Sequence, residues 1–121
     1  MAQSAGLHEP ESQLSPETVD RHRAITSIQE ELEAVDWYDQ RVDATGDAEL
    51  AAVLAHNRDE EKEHAAMTLE WLRRRDPAFD RHLRTYLFTA QPVTEVEREA
   101  EGTGGGAGGS LGIGSLKGAA R

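Results

Sequence analysis

One glycine, Gly46, interrupts the stretch between Gly6 and Gly102, and helical patterns run along the chain on both sides of it. Apolar residues recur there at the spacing of a single helix face. They are Ile25, Ile28, Leu32 and Val35 before the glycine, and Leu50, Leu54, Ala65 and Leu72 after it. Because glycine and aspartate favour chain reversal, Thr45-Gly46-Asp47 predicts a turn between two long antiparallel helices. No segment alternates as a strand does, so the sequence predicts an all-α fold.

Capping residues indicate where the helices begin and end. Ser15-Pro16-Glu17 provides a capping hydroxyl, a proline for the first helical position and a negative charge near the positive dipole end. Asp47 is expected to cap the second helix. Asp76-Pro77 is expected to end the second helix and to begin a shorter third one. The apolar positions of that third helix are Phe79, Leu83 and Leu87.

The distribution of glycine divides the chain. Nine of the eleven glycines lie between Gly102 and Gly118, and we therefore expect a flexible acidic and glycine-rich linker over residues 94–110. Within it, residues 94–101 fit either a frayed helix or no regular structure. Residues 1–14 are polar and without pattern, and are expected to be disordered. The helical domain is thus predicted over residues 15–93.

A helical domain of this size buries little apolar surface by itself. The predicted unit is an antiparallel two-helix hairpin with a short C-terminal helix, and two helices alone leave the outer parts of their apolar faces in water. Pairing of two chains into a four-helix bundle is the simplest remedy. We therefore expect a symmetric homodimer.

The composition excludes several classes of function. The chain contains no cysteine, so disulfides and thiolate metal sites are excluded, as is usual in a reducing cytoplasm. We find neither a signal peptide nor an apolar run of membrane-spanning length. The net charge of −10 disfavours nucleic acid and anionic lipid as partners. It suits a protein that gathers cations, although ordinary solubility is the simpler explanation of the charge.

Glu61 and His64 form a Glu-x-x-His step on the second helix. With 15 Glu and five His in 121 residues, chance alone provides roughly 0.6 such steps, so its position is more informative than its presence. Glu61 lies in the middle of an apolar stripe, where a carboxylate is costly unless a cation or hydrogen bonds neutralise it. Glu31 lies as far before Gly46 as Glu61 lies after it, so both carboxylates are expected at the same height of the hairpin.

These three side chains are half of a known type of metal centre. Di-iron carboxylate bundles take one Glu from each of two helices and a Glu-x-x-His from each of the other two. A two-fold axis would double Glu31, Glu61 and His64 into four carboxylates and two imidazoles, enough for two irons about 3.5–4 Å apart. The alternative interpretation is a pair of partly buried glutamates bridged to Arg or Lys, with His64 as an ordinary interface histidine.

The sequence also resembles a known family, the encapsulated ferritins. The stretches that carry the resemblance are Glu30–Tyr38, His56–Ala65, Met67–Leu72 and Arg84–Phe88. It extends over about residues 15–93. The tail segment Leu111–Gly118 is similar to the cargo-loading peptides that dock iron-handling enzymes inside encapsulin shells; considered without the resemblance, its composition fits plain disorder.

The resemblance implies a ferroxidase that oxidises Fe(II) to Fe(III) with O₂ for storage inside an encapsulin nanocompartment in the cytoplasm. It implies a ferritin-like bundle in which two subunits share the di-iron centre, within a ring of ten chains. The centre would use Glu31, Glu61 and His64 of each partner, two irons per dimer interface, with Tyr38 beside them. Further metal sites, also open to Ca²⁺ or other cations, would use Glu30, Glu33 and Trp37, and His56, Glu60 and Glu63.

Other interpretations of the same residues stay open. His56, Glu60 and Glu63 share one stripe that faces away from Glu61, and a solvated acidic face is the simpler explanation for them. A non-catalytic metal-binding or cargo-adaptor protein, or a purely structural coiled-coil spacer, would show the same helical pattern. Catalysed O₂ consumption on addition of Fe(II) distinguishes the enzyme from both.

Overall fold

The computed structural model describes residues 6–107, and this part of the chain is helical without any strand. Its four α-helices are α1 (Pro16–Ala44), α2 (Ala48–Arg73), α3 (Pro77–Tyr86) and α4 (Val93–Ala107). They belong to two compact units, one ending at Leu72 and the other beginning at Arg73. The predicted all-α class is confirmed for the described residues.

The predicted caps form the ends of the hairpin helices. The Ser15 hydroxyl accepts a hydrogen bond from the Thr18 amide at 3.1 Å, and Pro16 is the first residue of α1. In the turn, the Asp47 amide donates to the Thr45 hydroxyl at 3.2 Å. The Asp47 carboxylate in turn accepts from the Leu50 amide at 3.0 Å, and so satisfies one of the free amides at the start of α2.

This cap gives a first prediction about stability. We expect Asp47→Ala to lower the free energy of unfolding by about 1 kcal/mol, because the Leu50 amide loses its acceptor. Asp47→Asn keeps an acceptor oxygen at the same place and should cost much less. Urea unfolding of the three proteins at one protein concentration measures the difference. If Asp47→Asn lowered the free energy of unfolding as much as Asp47→Ala does, the effect would come from the lost charge and not from the lost cap.

Counting residues outward from Gly46 predicts which positions of α1 and α2 face each other. The observed side-chain contact joins α1 to a residue farther along α2 than this count predicts. Arg58 binds Asp39 at 2.9 Å, and the midpoint of these two residue numbers is 48.5. The reason is that side chains tilt toward the N-terminus of their own helix. On α1 this direction points away from the turn, and on α2 it points toward the turn. A residue of α1 therefore meets a residue of α2 that lies farther from the turn.

In the second unit, α3 is capped and held by an acidic residue near its start. The Asp76 carboxylate accepts from the Phe79 amide at 3.0 Å. Asp80 binds both Arg73 and, at 2.9 Å, Arg84. Burial raises the pKa of Asp80, but the hydrogen bonds from the two guanidinium groups outweigh it, and the pKa lies below its usual value.

As far as residue 107, the fourth helix corrects the expectation of a flexible linker over residues 94–110, and it agrees with the helical alternative for residues 94–101. The chain is helical from Val93 to Ala107. The carbonyl of the preceding residue, Pro92, accepts from the Glu95 amide at 2.9 Å and the Val96 amide at 3.1 Å. The linker was inferred from glycine content, which begins only at Gly102. The preceding residues have good helix formers, and Val96 is buried at 7% exposure, so packing stabilises the helix.

The N-terminal segment also differs from the expectation in part. Residues 11–13 of the segment 1–14 form a short 3₁₀ helix, Glu11–Gln13, where disorder was predicted. Residues 1–5 lie outside the described part of the chain, and so does the predicted cargo-loading peptide Leu111–Gly118. No described helix is long and apolar enough to cross a membrane.

Few side chains of the described residues are buried. The apolar residues below a tenth exposure are Ala24, Leu72 and Val96. Large apolar residues of the hairpin that are exposed are Ile25, Leu32, Trp37, Leu50, Val53 and Met67. Such a chain gains little from apolar burial as a monomer, and its open apolar faces are typical of a subunit interface.

Candidate metal centre

Glu61 and His64 lie one turn apart on α2 and their side chains meet. The distance from His64 Nδ1 to Glu61 Oε1 is 3.5 Å. The Glu61 side chain is 28% exposed and that of His64 is 50% exposed. Their spacing of three residues places both on one helix face, and the two potential ligands point to a surface that remains accessible.

Glu31 of α1 provides the second carboxylate, and one of its oxygens is buried without a partner. Among the described residues, Glu31 Oε1 has no hydrogen bond. The pKa of Glu31 is raised above its ordinary value, first by burial and further by the charges of Glu61 and Glu30; a hydrogen bond from Thr68 and the charge of His64 oppose the rise. The structure thus brings Glu31 within the electrostatic reach of Glu61 and His64.

Thr68 is a member of this cluster to which sequence reasoning gave no chemical role. Its hydroxyl donates to the His64 carbonyl at 3.1 Å and also lies beside the Glu31 carboxylate. The contact of Glu31 is therefore displaced along α2 from Glu61 toward Thr68. The signal was present in the sequence, because Thr68 lies seven residues after Glu61 and hence on the same face of the helix.

The donor set fits a divalent cation. Two carboxylates and an imidazole are ligands that iron accepts, and a buried oxygen without a hydrogen bond needs a cation or proton to offset its desolvation. Within residues 6–107, however, no three His, Asp or Glu side chains converge closely enough to hold a metal ion. One chain therefore offers donors without forming a closed site.

Two aromatic residues of α1, Trp37 and Tyr38, come about two helical turns after Glu31. Tyr38 follows Glu31 by two helical turns, and the Arg41 guanidinium lies 5.5 Å from the centre of its ring. Trp37 is 48% exposed and, with Gln40, Arg41 and Ala44, lines a shallow cleft of about 430 Å³.

The remaining predicted metal positions lie at the surface. His56 and Glu60 form an i, i+4 pair, with His56 Nε2 3.2 Å from Glu60 Oε2, and both side chains are more than half exposed. Glu63 and Glu30 are exposed as well, while Glu33 is half-buried. Among the described residues, these side chains do not converge into a closed ligand set.

The raised pKa of Glu31 makes the stability of the metal-free protein depend on pH. Between the ordinary value of 4.5 and the raised value, the folded chain holds more protons than the unfolded chain. Stability should therefore fall as the pH rises through this window. We expect Glu31→Gln to remove this loss, so that the variant gains stability relative to the parent at pH 7 but not at pH 4.

Chemical denaturation in the presence of a chelator measures this effect at the two pH values. Asp43→Asn is the matched control, because Asp43 is an exposed carboxylate of the same helix. It changes the net charge by the same amount without touching the cluster. If Asp43→Asn gained stability at pH 7 but not at pH 4, the gain would come from the change in net charge. This result would contradict the role of the raised Glu31 pKa.

Comparisons with known proteins give the family of this chain. The model of the EncFtn-like family matches residues 6–90. The encapsulated ferritin-like protein of Rhodospirillum rubrum is 64% identical over 99% of this chain and 94% of its own length. The ferritin-like protein of Thermotoga maritima is 55% identical over 90% of this chain and 96% of its own length.

A solved structure and a more distant relative extend the comparison. The crystal structure of protein ne0167 from Nitrosomonas europaea is 67% identical, with a TM-score of 0.71 over 73% of this chain and 97% of that one. The encapsulin nanocompartment cargo protein EncC of Myxococcus xanthus is 43% identical over 42% of this chain and 39% of its own length. The family match alone spans more than half of the sequence. The chain therefore belongs to the EncFtn-like family.

Proposed function

We propose that this protein is a ferroxidase, which oxidises Fe(II) to Fe(III) with O₂ at a centre formed between two copies of the chain. The observation that carries the proposal is the buried Glu31 oxygen without a hydrogen bond, beside Glu61 and His64. Such a carboxylate is unfavourable by itself and becomes favourable when a cation binds. The ferritin-like relatives support the same chemistry.

The number and exposure of the donors support a centre shared between two chains. One chain supplies two carboxylates and one imidazole, while two irons need about twice as many ligands. On α2, Leu50 lies eleven residues before Glu61 and Val53 lies eleven before His64, so each pair shares a face. Leu50 and Val53 are about half exposed. A second copy that covers this face would bury them and bring its own Glu31, Glu61 and His64 to the centre.

Each residue has a distinct part in the proposed reaction, in which iron is the substrate. Glu31 and Glu61 hold the cations and neutralise their charge, which favours Fe(III) over Fe(II) because carboxylates are hard anionic donors. His64 completes the ligand shell with a neutral nitrogen. Two bound Fe(II) ions together supply the two electrons that one O₂ molecule accepts. Tyr38 would lie beside the centre and limit the access of water.

The second part of the proposal concerns location. The R. rubrum relative is named an encapsulated protein and the M. xanthus relative an encapsulin cargo protein. We propose that this chain is likewise enclosed by an encapsulin shell, docked through Leu111–Gly118, and that the iron it oxidises is stored there. We further propose that the dimers assemble into a ring of ten chains, and that His56, Glu60 and Glu63, with Glu30, Glu33 and Trp37, are secondary cation sites.

Oxygen uptake tests the enzymatic part directly. Aerobic addition of Fe(II) to the purified protein should consume O₂ well above the rate of the same solution without protein. A passive metal-binding protein would bind Fe(II) without raising the rate. Uptake at the protein-free rate would contradict the proposed activity.

The docking part predicts a separate loss. When the chain is co-expressed with an encapsulin, replacing Leu111, Ile113 and Leu116 by serine should remove it from the purified shells, because apolar side chains supply most of the binding energy of such peptides. Its oxidation of Fe(II) in free form should not change. Lys117→Ser is the matched control and should still enter. Shells that retain the triple variant would show that docking uses another segment.

A further inference from the structure

We infer that Thr68 is a positioning residue for the metal centre, which holds the Glu31 carboxylate with Oε1 directed to the cation; this inference rests on the proposed function. Thr68 contacts both a carboxylate ligand and the backbone of a histidine ligand. Its hydroxyl lies beside Glu31 and donates to the His64 carbonyl at 3.1 Å. The other Glu31 oxygen, Oε1, is buried with no hydrogen bond.

The hydroxyl is free to change acceptors at little cost. Inside a helix, the His64 carbonyl already accepts the amide of the fourth following residue, which is Thr68 itself. The bond from the Thr68 hydroxyl is therefore a second bond to that carbonyl, and is dispensable. A hydroxyl proton rotates without moving its oxygen, so the same group can donate to Glu31 when the carboxylate is ionised and binds a cation through Oε1.

The consequence is a fixed orientation of Glu31. A carboxylate that accepts a hydrogen bond on one oxygen loses rotational freedom and presents the other oxygen to the metal. Because Thr68 lies one turn beyond His64, it also connects Glu31 of α1 to the part of α2 that carries Glu61 and His64. Loss of the hydroxyl would leave Glu31 free to turn away from Glu61.

Equilibrium binding of Co²⁺ to the metal-free protein, followed by its absorption spectrum, tests this role without any turnover. Thr68→Val removes the hydroxyl and keeps the shape, and we expect it to weaken binding on the order of tenfold. Thr68→Ser keeps the hydroxyl and should bind within about threefold of the parent, whereas Thr68→Ala should lose binding as valine does. Rescue by serine alone separates positioning from packing.

Thr85→Val is the matched control. The Thr85 hydroxyl makes the same kind of bond to a carbonyl four residues earlier, that of Arg81 at 3.0 Å, in a helix without the cluster. This variant should bind Co²⁺ as the parent does. If Thr68→Val also binds like the parent while Glu61→Ala loses binding, the role of Thr68 is overturned and the centre stands. If Glu61→Ala binds like the parent, the proposed centre is overturned, and the role of Thr68 with it.

Discussion

Glu61→Ala should reduce protein-dependent Fe(II) oxidation at least about 100-fold, because loss of a ligand costs more than the 10- to 100-fold typical of a residue that only orients one. Glu61 is the acidic member of the Glu-x-x-His step, with Oε1 3.5 Å from His64. In a two-fold symmetric centre, one substitution removes two carboxylates. O₂ uptake after addition of Fe(II), corrected for the protein-free rate, measures the loss.

Glu49→Ala is the control for this variant. It removes the same kind of side chain from the first turn of the same helix, where Glu49 is exposed. It should oxidise iron at the rate of the parent. His64→Ala should lose activity as Glu61→Ala does. If either Glu61→Ala or His64→Ala kept the activity of the parent, the assignment of the centre would be refuted.

Val53→Asp should abolish dimerisation and iron oxidation together. Val53 is 51% exposed, so the substitution leaves the single chain folded. In the proposed dimer the new carboxylate would be buried without a partner, on the helix face that Val53 shares with His64, at a cost of about 3 kcal/mol or more. This corresponds to a dissociation constant raised by at least about 100-fold. Sedimentation equilibrium and O₂ uptake on the same samples measure the two losses.

Ala52→Asp is the matched control for the interface. Ala52 is exposed and lies next to Val53 in sequence, about 100° around the helix from it. The control introduces the same charge on a different face, and it should dimerise and oxidise iron as the parent does. A monomeric Val53→Asp that keeps full activity would show that one chain completes the centre alone.

Local chemistry explains which parts of the structure were predictable. The caps at Ser15 and Asp47 depend on bonds within a few residues, and the structure contains them. The shared face of Glu61 and His64 follows from helical geometry in the same way. Such features need no knowledge of how distant segments pack.

Features that depend on packing or on side-chain direction were harder to predict. Helix α4 was only one of two alternatives for residues 94–101, because the glycines that follow favour a linker and the burial of Val96 depends on packing. The contact of Glu31 with Thr68 was missed because counting from Gly46 compares backbone heights and ignores the tilt of side chains along antiparallel helices. Helical spacing places Thr68 on the same face as Glu61, but no local pattern indicates that its hydroxyl lies beside Glu31.

The central claim is that the centre forms only where two chains meet, and an anomalous diffraction map of crystals soaked anaerobically with Fe(II) tests it most directly. We predict two irons related by a two-fold axis, with Glu31, Glu61 and His64 of both chains as ligands. Iron bound by these residues of one chain alone, with no second chain at the site, would contradict it.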